Sequence, residues 1–206
     1  MTSQWIAHDA VIKEHLKKKR NGDIMNVLLL NAGAKNDGAT QEILLTIKHA
    51  LHADSDIVCL GDLVIKYCKG CKVCYNTRKC IQDDDMYALI NRIDASDILI
   101  IAAPSYWADV PGQFKVFIDR CTPYSNTNPN IGRRTLKGGK TCYAIALRTG
   151  TRPAECEHII ETIAHWCGHM GIDMAGSIYF CGINNKEDIE KHKDLICEKV
   201  KDWLSE

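Results

Sequence analysis

Apolar residues along the chain fall either into short unbroken runs or into stripes at helical spacing. The unbroken runs predict strands that are covered on both faces, as in parallel sheets; they span residues 27–30, 56–60, 98–101, 142–147 and 172–180. The stripes repeat every three or four positions and predict helices; they lie within residues 40–51, 86–93, 110–121, 159–170 and 189–203. The alternation of five strands with five helices predicts a three-layer α/β fold with a doubly wound, five-stranded parallel sheet.

The beginning of the chain stands apart from this alternation. A weak helical stripe followed by a turn signal runs through it: Trp5, Ile12 and Leu16, then Asn21-Gly22-Asp23. We therefore predict an N-terminal helical extension over residues 1–24, joined to a single domain over residues 25–206.

The overall charge narrows the classes of partner. Lys and Arg together number 26, and Asp and Glu together also number 26, so the formal net charge is zero. A chain without net charge predicts binding neither to nucleic acid nor to an anionic membrane surface. Apolar runs stay well below the ~18 residues of a membrane span, and the first residues lack the apolar core of a signal peptide. The predicted location is the cytoplasm, where the eleven cysteines are expected as thiols or metal ligands.

The loop after the first predicted strand carries the chemistry of an anion site. In doubly wound sheets, ligands bind beyond the carboxyl ends of the strands. Gly33 and Gly38 let the backbone approach an anion, Lys35 offers a charge and Thr40 a hydroxyl at the start of a helix. The loop matches neither the dinucleotide fingerprint nor a Walker loop. A plain turn with a helix cap explains these residues equally well.

The loop after the third predicted strand holds two aromatic residues between two prolines. Such a loop is a suitable wall for a flat ring, and its backbone N–H groups can reach ring nitrogens. Ordinary packing of the two aromatic side chains is the alternative. The candidate contacts are Pro104, Ser105, Tyr106, Trp107, Ala108 and Asp109.

Four cysteines form a C-x2-C-x2-C-x5-C run, namely Cys68, Cys71, Cys74 and Cys80. Three thiolates at two-residue gaps, with a fourth further on, can surround one iron–sulfur cluster. Zinc more often uses two separated pairs, so it fits this spacing less well. The other cysteines lie on apolar stripes or strands and are predicted to be small core residues; they are Cys59, Cys121, Cys142, Cys156, Cys167, Cys181 and Cys197.

Four segments occur together in one order along the chain: the first loop with its helix, Asp83-Asp84-Asp85-Met86, Ala103 to Trp107, and residues 114–120. Together they resemble the NADPH-dependent FMN reductase group of flavodoxin-like proteins, and more narrowly its iron–sulfur flavoprotein branch. The resemblance covers about residues 25–205. It implies the flavodoxin-like strand order 2-1-3-4-5.

For the site, the resemblance implies that residues 33–40 hold the FMN phosphate, through Gly33, Ala34, Lys35, Gly38, Ala39 and Thr40. It implies that residues 104–109 contact the isoalloxazine. After the fourth strand, the pyrimidine side would be closed by Arg148, Thr149 and Gly150. The family often starts its phosphate loop with Gly-Ser-Pro-Arg, whereas this chain has Ala32-Gly33-Ala34-Lys35, without the hydroxyl and without the bidentate fork of arginine.

The resemblance also implies a [4Fe–4S] cluster on the four cysteines, next to the flavin. Relatives that keep similar cysteines without a cluster provide the alternative. Three nearby features have interpretations of their own. The run Asp83 to Asp85 is expected to cap a helix, Lys115 and Asp119 to form a surface pair, and Arg120 to reach either the cysteine loop or a neighbouring subunit.

These observations predict an FMN-dependent oxidoreductase. Reduced nicotinamide or a ferredoxin-like donor would supply electrons, and a small molecule or redox protein would accept them. Because the flavin carries the chemistry, no side chain is predicted to be catalytic. A flavodoxin-like electron carrier is the second hypothesis, although carriers are expected to be acidic; a structural zinc-bearing interaction domain is the third. A homodimer or homotetramer is predicted.

Overall fold

The computed structural model describes residues 25–51, 54–126, 128 and 136–205. The predicted extension of residues 1–24 lies outside the described residues, so it stays a prediction. No helix within the described ranges combines the length and the apolar character needed to cross a membrane.

Five parallel strands form one sheet, in the order β2-β1-β3-β4-β5. The strands are β1 Asn26–Asn31, β2 Asp54–Cys59, β3 Ile98–Pro104, β4 Thr141–Leu147 and β5 Asp173–Phe180. The predicted α/β class, strand count and strand order are confirmed. In this order β2 lies on one side of β1 and the later strands lie on the other, so the strand order switches between β1 and β3. Ligands of such sheets bind at that switch point, beyond the carboxyl ends of the strands.

Helices cover both faces of the sheet. They are α1 Ala39–Ala50, α2 Val73–Thr77, α3 Met86–Ala95, α4 Gly112–Arg120, α5 Ala154–Met170 and α6 Lys193–Ser205, with 3-10 turns at Leu60–Asp62, Thr122–Tyr124 and Lys186–His192. Side chains of α1 and α6 pack into the apolar core on one face, and those of α3, α4 and α5 pack into the core on the other. The short α2 was not predicted, because its sequence VCYNT carries no apolar stripe.

Alternate residues of each central strand enter different cores. In β1, Leu28 and Leu30 join the core under α3, α4 and α5, while Val27 and Leu29 join the core under α1 and α6. All four side chains are buried, and full burial of such a side chain contributes about 1.5–3 kcal/mol. An unbroken apolar run is therefore what a strand with two covered faces requires.

All eleven cysteines lie within the described residues and are free thiols. The core-packing prediction is confirmed for the five that are fully buried: Cys59, Cys121, Cys142, Cys156 and Cys167. Cys181 and Cys197 are only partly buried.

Candidate functional site

The loop after β1 is folded back by the buried side chain of Asn31. Its Oδ1 accepts a hydrogen bond from the Gly33 N–H at 2.8 Å. Its Nδ2 donates to the Lys35 carbonyl at 3.1 Å and to Gln41 Oε1 at 2.9 Å. A buried amide with these partners fixes the loop path into α1. Asn31 was not predicted as a site residue, since nothing in the local sequence shows that its side chain turns inward.

Gly33 stands at a crowded point that only a residue without Cβ can occupy. A Cβ there would lie 2.9 Å from Asn31 Oδ1, 3.5 Å from Thr40 Oγ1 and 3.7 Å from Pro104 Cγ. The N-cap of α1, Gly38, provides no side-chain cap for the first N–H groups of the helix. The helix-cap alternative therefore lacks its capping side chain. Thr40 is buried, and its hydroxyl and Pro104 both lie next to Gly33.

The outer part of this loop rests on the 3-10 turn that follows β2. A Cβ on Gly61 would lie 2.1 Å from the Ala34 carbonyl oxygen, so this turn packs directly against the loop. Asn36 Nδ2 also donates to Asp62 Oδ2 at 2.9 Å. Lys35 is exposed and pairs with Asp37 at 3.3 Å, so a phosphate would have to draw it away from that carboxylate.

The loop after β3 is a two-residue hairpin. Tyr106 and Asp109 exchange backbone hydrogen bonds of 2.9 and 3.1 Å. Between them Trp107 and Ala108 both have left-handed φ angles, 53° and 62°, a conformation that costs non-glycine residues free energy and tends to occur at functional sites. The alternative interpretation, ordinary packing of the side chain, does not apply to Trp107, because its side chain is fully exposed.

The loop after β4 is tied to the loop after β3 by Glu155 in the first turn of α5. Glu155 Oε1 pairs with Arg148 Nη1 at 2.8 Å, and its Oε2 accepts a hydrogen bond from Ser105 Oγ at 3.1 Å. The side chains of Arg148 and Glu155 are only 12% and 20% exposed. Glu155 was not predicted, because the contact with Ser105 joins residues 50 positions apart.

Arg148 lies across its own loop. A Cβ on Gly150 would fall 2.1 Å from Arg148 Nη2, so the guanidinium packs directly on the Gly150 backbone and would have to move for a larger residue. The Gly150 carbonyl accepts a hydrogen bond from the Gly182 N–H at 3.0 Å, which holds the loop against the chain after β5. Arg148 Nε is buried without a hydrogen-bond partner among the described atoms. The neighbouring Thr149 is exposed.

The three loops meet at the carboxyl edge of β1, β3 and β4. Thr40 and Pro104 both lie next to Gly33. Gln113 Nε2 donates a hydrogen bond to the Ala32 carbonyl at 3.1 Å. A backbone cradle that excludes Cβ atoms and a buried, unpartnered guanidinium N–H fit a planar anionic cofactor such as FMN. The predicted residues that this edge brings together are Gly33, Ala34, Lys35, Gly38, Ala39, Thr40, Pro104, Ser105, Tyr106, Trp107, Ala108, Asp109, Arg148, Thr149 and Gly150.

The four cysteines of the C-x2-C-x2-C-x5-C run line one cavity of about 140 Å³. Cys68 and Cys71 are exposed, while Cys74 and Cys80 are partly buried. Burial and the adjacent thiols of Cys80, Cys71 and Cys68 raise the pKa of Cys74. Within the described part of the chain, no group of three or more His, Cys, Asp or Glu side chains has the geometry of a formed metal site.

Left-handed residues bend the backbone around this cavity. Gly70, Lys72 and Arg78 have φ angles of 63°, 58° and 56°. Lys72 precedes the short helix α2 and Arg78 follows it, so each end of α2 is a sharp turn. Such turns cost free energy in non-glycine residues. Here they lie within the thirteen-residue segment 68–80, whose four cysteines line the cavity.

Arg120, at the end of α4, enters the cysteine loop. Its side chain is 1% exposed and pairs with the equally buried Asp84 at 2.6 Å. Arg120 Nη1 also donates to the Lys66 carbonyl at 2.6 Å. Of the two predicted destinations of Arg120, the cysteine loop is therefore the one observed. The predicted pair of Lys115 and Asp119 is also present, on the surface.

The acidic run before α3 does more than cap that helix. Asp84 Oδ1 accepts a hydrogen bond from the Met86 N–H at 3.2 Å, as a capping side chain does. Asp85, the N-cap residue, makes no side-chain cap and instead accepts from the Val64 N–H at 2.7 Å. The run thus fastens the start of α3 to the cysteine loop, which sequence alone did not indicate.

His165 and His169, one turn apart on α5, face each other with their Nε2 atoms 3.0 Å apart. They line a cavity of about 610 Å³ between α4 and α5. One neutral imidazole donating to the other accounts for this distance.

The fold and the arrangement of loops define a flavodoxin-like α/β protein with a candidate nucleotide site at the β1/β3 switch point. The profile of the NADPH-dependent FMN reductase family matches residues 25–173. The chain belongs to this family.

Several curated relatives are named iron–sulfur flavoproteins. One from Archaeoglobus fulgidus is 43% identical over 74 residues, which cover 36% of this chain and 31% of the relative. Another from the same organism is 34% identical over 99 residues, which cover 47% of this chain and 48% of the relative. One from Clostridioides difficile is 28% identical over 154 residues, covering 61% and 68%. The chain thus spans less than half the length of the first two.

Solved structures share the fold at low identity. A protein of Streptococcus mutans, Smu.1420, superposes with a TM-score of 0.66 at 16% identity, covering 86% of this chain and all of its own. An FMN-dependent NADH-azoreductase of Bacillus anthracis, solved with FMN, superposes with a TM-score of 0.61 at 14% identity, covering 87% and 99%. At these identities the likeness shows the fold alone.

Proposed function

We propose that the protein is an FMN-dependent oxidoreductase, which takes electrons from NAD(P)H and passes them to a quinone-type small molecule or a redox protein. The observation that carries this proposal is the meeting of three loops at the carboxyl edge of the sheet. Gly33 leaves room beside Thr40 and Pro104, and Glu155 couples Ser105 to Arg148. Family membership over residues 25–173 supports the same cofactor and donor.

In this proposal the loop after β1 binds the phosphate. The free N–H groups at the start of α1 and the buried Thr40 hydroxyl donate to it, and Lys35 adds a charge from the exposed side. A single phosphate cradle without a dinucleotide fingerprint favours FMN over FAD. When bound, the flavin would supply the hydride and electron chemistry.

The other two loops orient the ring. Residues 104–109 would lie along the isoalloxazine, with backbone N–H groups towards its polar edge. The buried Arg148 Nε–H would donate to an acceptor on the pyrimidine side, which gives this unpartnered atom a role. The exposed Trp107 leaves the outer side of the hairpin open to the donor and acceptor.

We further propose that Cys68, Cys71, Cys74 and Cys80 hold a [4Fe–4S] cluster. Their shared cavity of about 140 Å³ and the names of the relatives support this. A cytoplasmic location and a homodimeric or homotetrameric assembly complete the proposal, since eleven free thiols suit a reducing compartment.

Anaerobic purification followed by spectroscopy and mass spectrometry tests the cofactors. We expect FMN as the released flavin, and FAD as the main species would refute the single-cradle argument. NAD(P)H consumption should depend on added quinone or free flavin. Flavin-loaded protein that never consumes NAD(P)H would instead be an electron carrier.

Cysteine variants test the cluster separately from the flavin. Wild-type protein should contain about four iron and four sulfide per chain. Cys71→Ala should lose the iron and retain FMN, because the phosphate loop follows a different strand. Cys197→Ala, a partly buried thiol on α6, is the matched control and should retain both. Iron-free wild-type protein with full NAD(P)H oxidation would identify a plain flavin reductase, and zinc analysis would detect a zinc site.

A further inference from the structure

Among the described residues, Arg120 is the largest one whose side chain is fully buried. Its guanidinium makes a two-pronged pair with Asp84, Nη1 to Oδ2 at 2.6 Å and Nη2 to Oδ1 at 3.1 Å. The Asp84 oxygens also accept from the N–H groups of Lys66 and Met86. Burying an ion pair is costly and seldom stabilises a fold more than apolar packing would. Stability alone therefore does not explain why a buried ion pair occupies this position.

One donor of the guanidinium, Nε, has no partner among the described atoms, and Arg120 lines the cysteine cavity. Asp84 and the Lys66 carbonyl occupy the two Nη atoms, whereas Nε is buried without a hydrogen-bond partner among the described atoms. Arg120 lines the same 140 Å³ cavity as Cys68, Cys71, Cys74 and Cys80. The residue that carries the unpartnered donor therefore contributes to the wall of the cavity that the four cysteines line.

The charge of Arg120 is secured by its neighbours. Burial lowers its pKa, but hydrogen bonding to Asp84 and the charge of the adjacent Cys80 more than offset this and raise it. For Asp84, burial raises the pKa, and hydrogen bonds from Arg120, Lys66 and Met86 lower it overall. Asp84 thus holds the Nη edge, and Cys80 lies close enough to interact with the guanidinium.

We propose that Arg120 is a positioning residue for the cluster, whose Nε–H donates a hydrogen bond to Cys80 Sγ when that thiolate is a ligand. This inference rests on the proposed function, since it requires the cluster. Hydrogen bonds to ligand sulfur raise the reduction potential of iron–sulfur clusters, and a charged donor makes the stronger bond. The exposed lysines of the loop are screened by solvent and salt. Arg120, in contrast, is a buried donor among the residues that line this cavity.

The test is an anaerobic redox titration followed by electron paramagnetic resonance. The main variant is the double substitution Arg120→Gln with Asp84→Asn, which removes both charges and leaves no isolated buried ion. We expect wild-type iron and sulfide, retained FMN, and at least a tenfold smaller equilibrium constant for cluster reduction. For a one-electron couple this is a shift of about 59 mV to more negative potential.

Two further variants separate the hydrogen bond from charge alone. Lys79→Gln removes an exposed positive charge next to Cys80 in the sequence, and its potential should stay close to wild type. Arg120→Lys keeps a buried charge without the Nε–H and should fall between wild type and the double variant. If the double variant does not fold, the Arg120→Lys potential decides the question on its own.

Each outcome has a distinct meaning. Wild-type protein without iron refutes the proposed cluster before any variant is made. Iron-replete variants with the wild-type potential overturn the role of Arg120 and leave the proposed function standing. A shift in the Lys79→Gln variant as large as in the double variant also overturns it, because charge alone would then explain the effect.

Discussion

At the scale of single residues, Glu155 couples two parts of the candidate flavin site. Its carboxylate accepts from Ser105 and pairs with Arg148, so one side chain sets the spacing of the loops after β3 and β4. Its carboxylate lies in the first turn of α5, where the helix dipole interacts favourably with a negative charge. Such a residue contributes to binding by keeping the loops in place before the ligand arrives.

Replacing Glu155 with Gln should weaken FMN binding. The amide keeps the shape but leaves the Arg148 charge, which is only 12% exposed, without its anionic partner. Loss of a hydrogen bond to a charged group costs about 1.5–3 kcal/mol, or roughly 10- to 150-fold in Kd. Flavin fluorescence titration measures this. Glu157→Gln, an exposed change in the same helical turn, should bind as wild type. Equal affinity in both variants would contradict the role of Glu155.

Asp84→Asn should be strongly destabilising. The change leaves Arg120 charged and buried, and breaking a buried pair at one partner costs about 3–5 kcal/mol. Urea unfolding at neutral pH measures the difference, with the exposed neighbour Asp83→Asn as the control. The pKa of Asp84 is lowered in the folded protein, so its contribution is present above the unfolded value, 3.8. The gap between wild type and variant should therefore shrink as the pH falls below that value. A gap that is constant through this range would count against the ion pair.

At the scale of elements, the loop from β1 to α1 combines two kinds of donor. Gly38 leaves the first N–H groups of the helix without a side-chain cap, and Thr40 places a buried hydroxyl beside Gly33 and Pro104. Lys35, in contrast, is 72% exposed and engaged with Asp37. The hydroxyl and the backbone are thus expected to contribute more to phosphate binding than the lysine.

Thr40→Ala should weaken FMN binding with little loss of fold, by about 1.5–3 kcal/mol for a hydrogen bond to a charged phosphate. Lys35→Ala should have a smaller effect, because exposed charges are screened. Isothermal titration of apoprotein with FMN measures both. Thr46→Ala is the control: its hydroxyl bonds to the Glu42 carbonyl within the same helix, away from the loop. Unchanged affinity in the Thr40 and Lys35 variants would place the phosphate elsewhere.

The elements that could be predicted from sequence are those whose burial repeats along the chain. β1 appears as an unbroken run because Leu28 and Leu29 enter different cores. Contacts between distant segments leave no such pattern. The Arg120–Asp84 pair spans 36 positions and the Ser105–Glu155 bond 50. The loops of the candidate site could thus be named in advance, but not the side chains that hold them together.

At the scale of the whole molecule, the two candidate sites are connected through the turn after β2. The 3-10 turn after β2 packs on the loop after β1 through Gly61 and Asp62, and the chain continues from that turn into the cysteine segment. The end of α4 then enters the cysteine loop through Arg120. The turn after β2 therefore joins the cysteine segment to the loop that would hold the phosphate.

Exposed apolar side chains are concentrated around the cysteine segment and the hairpin. Val64 is 67% exposed, Tyr67 79%, Ile81 58% and Tyr87 64%, and Trp107 is fully exposed. Clustered exposed apolar residues mark interaction surfaces, and soluble homo-oligomers usually close through symmetric pairing. The proposed homodimer or homotetramer would cover these residues and close the open side of the ring site.

Sedimentation velocity at micromolar concentration should therefore give a dimer or tetramer of the full chain. Tyr67→Ser with Ile81→Ser should shift the distribution towards monomer, because it removes exposed apolar area without entering either core. The control Tyr179→Ser removes a similarly sized, partly exposed ring on β5, away from the cysteine segment, and should leave the distribution unchanged. Deleting residues 1–24 tests whether the predicted extension takes part in assembly. A full-length chain that sediments as a monomer would refute the assembly.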